Sequence, residues 1–153
     1  MSRLFKSLLF LSLILFLSSC SAPEEEVKKK KVVPEKITML FVTQPFCPSC
    51  DKLELTMKLT KPNELIKNYF EVKKVYLGEE LPDGLIPPNG TPTVYFLGSD
   101  NEVLVEPMVG EKKESALMEF LEDALLEFKI TYNVDLVEKF KIKQEKDNNE
   151  TTV

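Results

Sequence analysis

Residues Phe41 to Cys50 read FVTQPFCPSC, and they continue a run that starts at Ile37 as ITMLFVT. That run is short, apolar and rich in β-branched residues, so it predicts a strand covered on both faces. Pro45 breaks it. From Cys50 to Thr60, the residues Leu53, Thr56, Met57 and Thr60 fall on one side of a helix. Cys47-Pro48-Ser49-Cys50 therefore sits where the first strand turns into the first helix. Two Cys three positions apart at a helix start can close a small disulfide ring. Unpaired amides and the positive end of the helix dipole favour a thiolate at the first of them. Cys47 is thus the candidate nucleophile, and Cys50 the thiol that resolves a mixed disulfide. A zinc knuckle competes with this reading but needs four ligands, and the chain has no His and no second Cys pair. A structural disulfide competes as well, although a bridge this local closes too small a loop to stabilise much.

Outward from that junction, Lys61-Pro62 ends or kinks the helix, and Asn63 to Phe70 predicts its continuation. Val72 to Leu77 predicts a second strand. Gly78 to Gly90 holds Pro82, Pro87 and Pro88 besides Gly84, which marks an irregular loop. Thr93 to Leu97 and Val103 to Met108 predict a hairpin around Gly98-Ser99-Asp100-Asn101, with Pro107 placing the second strand at a sheet edge. Leu117, Phe120, Leu121, Ala124, Leu125 and Phe128 follow the helical period. Beyond Asn133 a weak amphipathic helix through Val134, Val137 and Phe140 is expected, with disorder after Gln144. The order β, α, β, loop, β, β, α describes a parallel βαβ unit followed by a hairpin and helix on the same sheet.

These elements resemble the thioredoxin family. The likeness covers roughly residues 36 to 128 and is carried by FVTQPFCPSC, then Gly90-Thr91-Pro92-Thr93, a hairpin, Gly110 and a last amphipathic helix. It implies an α/β, thioredoxin-like fold with a central mixed four-stranded sheet (βαβ plus ββα) and helices on both faces. It further implies that Pro92 is cis, that Thr91 and Pro92 bind an extended substrate peptide beside Cys47, and that the activity is thiol–disulfide exchange. No cofactor is implied beyond the redox-active pair itself. The chain also departs from the family. Phe41 stands where a buried acid is usual, Phe46 where Trp is usual, and Pro48-Ser49 replaces Gly-Pro. Glu54 or Lys52 are candidates to take over the missing acid's proton transfer. Phe46, Pro48 and Tyr95 are candidates for an apolar apron around the cysteines, Tyr95 being equally readable as sheet packing.

The N-terminus reads as an address. Arg3 and Lys6 precede an apolar run from Leu8 to Leu17, about half the ~20 residues that a spanning helix needs. Leu17-Ser18-Ser19-Cys20 then resembles a bacterial lipobox, with Cys20 as the lipidated residue. The alternative is an ordinary signal cut after Ala22. Removing Arg3 and Lys6 with the leader takes the net charge from −5 to −7. Residues 21 to 36 hold Glu24 to Glu26 and Lys28 to Lys31, a solvated tether whose lysines could also touch anionic lipid. The expected domains are a leader (1–19), the lipidated Cys and tether (20–36), a folded domain (37–130) and a partly disordered extension (131–153).

Composition sets the remaining bounds. The chain has 153 residues, 43% hydrophobic and 29% charged, enough for one domain with a core. Its acidic balance argues against nucleic acid, and the absence of His removes imidazole bases. The expected activity is a membrane-anchored thiol–disulfide oxidoreductase that reduces envelope proteins through Cys47 and Cys50. An oxidase, an isomerase, and a non-catalytic binding or metal-carrier lipoprotein stand as alternatives. Expected partners are Cys-bearing envelope proteins, an integral-membrane thiol reductase as electron donor, and the membrane itself. The expected site is the bacterial periplasm, on the outer membrane in a Gram-negative host, and the expected state is a monomer.

Overall fold

The computed structural model describes residues 31–150. The leader, Cys20, the Ala22 alternative and the tether up to residue 30 lie outside them. A four-stranded sheet has the order β2-β1-β3-β4, with β1 Ile37–Thr43, β2 Phe70–Tyr76, β3 Thr93–Leu97 and β4 Met108–Val109. β1 pairs with β2 in parallel and with β3 antiparallel, and β3 pairs antiparallel with β4. Central β1 is apolar on both sides of its pleat. Ile37, Met39 and Phe41 join Val94 and Phe96 on one face, while Leu40 and Val42 join Tyr95 and Leu97 on the other.

Helices are expected on both faces, and among the described residues they lie on one. α1 (Pro48–Met57), α2 (Thr60–Tyr69), α3 (Glu114–Tyr132) and α4 (Leu136–Glu150) all send their buried apolar residues to the Phe41 face. The opposite face is covered by the loop after β2. There Leu81 and Leu85 pack beside Val75, and Tyr95 Oη donates to Ile86 O at 2.6 Å. Three prolines and three glycines keep that stretch from becoming a helix, so individual side chains close the core instead.

α1 and α2 separate at Lys58 and Leu59, before Pro62. The proline lies in the first turn of α2, where a missing N–H costs nothing. The expected strand Val103 to Met108 is reduced to a single bridge, Leu97 to Val103, and to the two residues of β4. Pro107 has no N–H to give to a ladder, so the chain bows away and rejoins the sheet only at Met108 opposite Val94.

The core also continues past residue 130, beyond the expected domain boundary. α3 buries Leu117, Leu121, Ala124, Phe128 and Tyr132 at helical spacing and ends at left-handed Asn133. Asp135 Oδ1 then accepts the amides of Val137 and Glu138 and so caps α4, which continues to Glu150 instead of ending at Gln144. Leu136 is buried, and Val134, Val137 and Phe140 pack on the core. The apolar positions that make this helix amphipathic are what hold it to the domain.

Candidate redox site

The site forms at the C-terminal end of β1. Phe46 takes a left-handed conformation, φ 55°, which turns the chain out of the strand and leaves its ring fully exposed. Cys47 follows in extended geometry, and the carbonyl of this N-cap residue accepts from the amides of Cys50 (3.0 Å) and Asp51 (3.1 Å). Pro48 occupies the first helical position, where its fixed φ suits the start of α1. Ser49 is half-buried. Cys50 falls on the inner side of the first turn.

Cys47 and Cys50 form a disulfide, with S–S 2.03 Å and Cα–Cα 5.2 Å. Cys50 is 2% exposed and Cys47 6%, and both belong to the core that includes Phe41 and Leu53. The Cys47 sulfur accepts from the Cys50 amide at 3.2 Å and lies 3.5 Å from Thr91 Oγ1. Because that sulfur carries no proton in the disulfide, the Thr91 hydroxyl is the donor.

Thr91 arrives there because β3 runs antiparallel to β1. Thr93 is opposite Val42, so the two residues before it lie beside the end of β1. The Thr91–Pro92 peptide bond is cis. The turn is tied on both sides: Thr93 Oγ1 donates to Gly90 O at 2.8 Å, and the Gly110 amide donates to Pro92 O at 2.8 Å. Gly110 has φ +79°, a conformation that a side chain there would strain. The fold is thioredoxin-like. A parallel β1–β2 pair, antiparallel β3 and β4, a CxxC disulfide at a helix start and a cis proline against it decide this.

No protein-family model matches the chain, and no curated protein sequence matches it. Solved structures similar to it include a disulphide isomerase from Xylella fastidiosa Temecula1, 24% identical over 57% of this chain and 77% of that one, with a TM-score of 0.48. The periplasmic thioredoxin SoxS from Paracoccus pantotrophus is 20% identical over 58% of this chain and 99% of that one, TM-score 0.46. The C-terminal domain of DsbD from Neisseria meningitidis, in its reduced form, is 22% identical over 60% and 83%, TM-score 0.44. At these values the likenesses decide nothing about activity.

The remaining candidates divide. Phe46 and Pro48 stand exposed beside Cys47, but Tyr95 is buried on the far face of the sheet and forms no part of an apron. Lys52 turns outward to Glu111 at 3.1 Å. Glu54 instead reaches across to Lys74 of β2 at 2.7 Å, and Lys74 Nζ lies 5.8 Å from the centre of the Phe41 ring. That pair lies beside the apolar position where an acid is usual. Sequence reasoning had no view of Lys74, because only the β1–β2 register sets it opposite Phe41. It also missed the left-handed Phe46. A non-glycine residue between Pro45 and a helix-capping Cys was the available signal.

Proposed function

We propose that the chain is a thiol–disulfide oxidoreductase that reduces disulfides of proteins in the cell envelope. The observation that carries this reading is the Cys47–Cys50 disulfide at the start of α1, with the Thr91 hydroxyl on its outer sulfur and the cis Thr91–Pro92 bond beside it. In the reduced protein, the Cys47 thiolate attacks one sulfur of a substrate disulfide. The other substrate sulfur leaves as a thiolate and takes up a proton. Cys50 then gives up its proton and attacks the Cys47 sulfur, which releases the second substrate thiol. Two electrons and two protons pass from the dithiol to the substrate, and the Cys47–Cys50 disulfide remains.

Thr91 and the amides of α1 hold negative charge on Cys47. The backbone beside Pro92 offers an edge for an extended substrate, and Phe46 with Pro48 supplies an apolar border. Pro48-Ser49 adds no charge between the cysteines, which supports the reducing direction over a strongly oxidising one. An integral-membrane thiol reductase would return the electrons. Acylation at Cys20, supported by the leader and lipobox pattern, would anchor the domain as a monomer in the periplasm. The folded domain would run from residue 37 into α4.

Titration of Cys47–Cys50 against glutathione tests the direction. A potential near or below ~−270 mV supports the reductase, and one near ~−120 to −180 mV makes the protein an oxidant or isomerase. Cys47→Ser should abolish disulfide reduction, and Cys50→Ser should accumulate mixed disulfides with substrates. Full activity in Cys47→Ser would overturn the assignment.

A further inference from the structure

We propose that the end of the domain opposite the disulfide is a docking face for anionic phospholipid. Cys47 follows the last residues of β1, whereas Glu35 and Lys36 enter its first. Seven strand residues at ~3.3 Å each put about 23 Å between the two ends. At the entry end, α4 crosses the close of α2 and leaves a cavity of about 370 Å³. Its floor is Tyr69, Leu136 and Phe140, the two rings meeting edge to face with centres 5.5 Å apart. Its rim carries Lys36, Lys139 and Lys143, with Glu35 as the acidic member. Lys36 Nζ donates to the backbone carbonyl of Lys67 at 2.6 Å, which fixes that ammonium at the rim.

A cationic rim over an aromatic and aliphatic floor fits an anionic amphiphile. The phosphate of a phospholipid would meet the lysines, and its glycerol and first acyl carbons would cover Phe140 and Leu136. A simple inorganic anion has no use for the floor. The loop after β2, at the redox end, carries Glu79, Glu80 and Asp83 and no lysine. Lys52 and Lys112 also lie at that end, so the orientation follows from where the cavity sits: docking through it leaves Cys47, at the other end of β1, turned away from the membrane. This proposal needs neither acylation at Cys20 nor redox activity, so it fails or holds separately from them.

The chain has no Trp, so Phe140→Trp in the full chain gives a single fluorescent reporter at the face. Mixed with vesicles of phosphatidylcholine and phosphatidylglycerol carrying brominated acyl chains, it should shift to the blue and be quenched. On phosphatidylcholine alone it should do neither. Lys139→Gln with Lys143→Gln should lower the docking constant about 30-fold, and added salt should lower it as well. Phe46→Trp, at the redox end, should stay unquenched on both. Equal quenching of Phe140→Trp on neutral vesicles, indifference to the lysine changes, or a response to an acidic peptide without one to vesicles overturns the proposal. Should the reporter disturb the fold, amide exchange over residues 136–144 of the unaltered chain replaces it. Protection on anionic vesicles alone supports the docking face, and no protection overturns it.

Discussion

Thr91→Val isolates the one side-chain hydroxyl that touches the Cys47 sulfur. Valine keeps the β-branched shape and leaves the backbone beside Pro92 in place, so the change removes one donor at 3.5 Å and little else. A hydrogen bond to a charged acceptor contributes about 1.5–3 kcal/mol. At this length the lower bound applies, which is about one pH unit in the thiol's titration. The Cys50 amide at 3.2 Å and the helix dipole still hold the thiolate, so reactivity is reduced and not lost. At a pH below both midpoints the variant has about tenfold less thiolate, and each thiolate is about threefold more nucleophilic because its basicity has risen. The net rate of alkylation at Cys47 should fall about threefold. At a pH above both midpoints the thiolate fractions are equal, and the variant should be about threefold faster. The assay is iodoacetamide alkylation of the reduced protein across pH, with mass spectrometry locating the label on Cys47. A uniform change at all pH values would show that valine altered access. Superimposed profiles would show that the hydroxyl does not hold the thiolate at all.

Two further substitutions test how the frame is held. A Cβ at Gly98 would collide with Tyr132 Oη and come within 3.0 Å of its Cζ, while that hydroxyl receives the Ser99 amide at 2.7 Å and reaches Glu102 at 3.2 Å. Gly98→Ala should cost about 2–3 kcal/mol in urea unfolding and Tyr132→Phe about 1 kcal/mol, but the double variant should cost at least ~1 kcal/mol less than their sum; additivity would place the strain elsewhere. Lys129 at 2.9 Å, followed by the Glu138 amide, holds the Asp135 carboxyl below its ordinary value of 3.8. A depressed folded-state value means that the contribution is complete above 3.8 and is lost as pH falls through the folded value. Asp135→Ala should therefore cost about 1 kcal/mol near neutral pH and remove that part of the acid destabilisation, and an unchanged acid limb in pH-dependent unfolding would refute the cap.

What was legible in the sequence was whatever rests on local pattern. Ile37 to Thr43 reads as a doubly covered strand because both its faces are apolar, and the helical period of Leu117 to Phe128 shows which side of α3 is buried. The CxxC pair at the strand–helix junction is local too, as is the turn at Thr91-Pro92. What escaped depends on residues that meet only in the fold. Nothing within Val103 to Met108 shows that pairing fails between a first bridge and Met108, because the failure lies in what Pro107 cannot offer to β3. Nothing in Gly78 to Gly90 shows that it covers a sheet face, because its partners Leu40, Val42 and Tyr95 lie on other strands. The apolar spacing of Val134, Val137 and Phe140 was visible, but not that α2 supplies Tyr69 to receive it.

The packing of three helices over the Phe41 face bears on Cys50. With α1, α2 and α3 all packed over the Phe41 face, the inner sulfur lies under a continuous apolar layer. In the mixed disulfide Cys50 must lose a proton before it can attack, and burial opposes the charge that this creates. Phe41 offers no acceptor. Glu54 and Lys74, paired at 2.7 Å, stand at the border of that layer beside Phe41. By contrast, the outer sulfur of Cys47 has the Cys50 amide and the Thr91 hydroxyl as donors and the exposed Phe46 ring beside it. The two thiols thus differ by environment in the sense that thiol exchange requires. In the proposed cycle the outer sulfur, Cys47, would attack as the thiolate, and the inner one would keep its proton until Cys47 is bonded to a substrate sulfur.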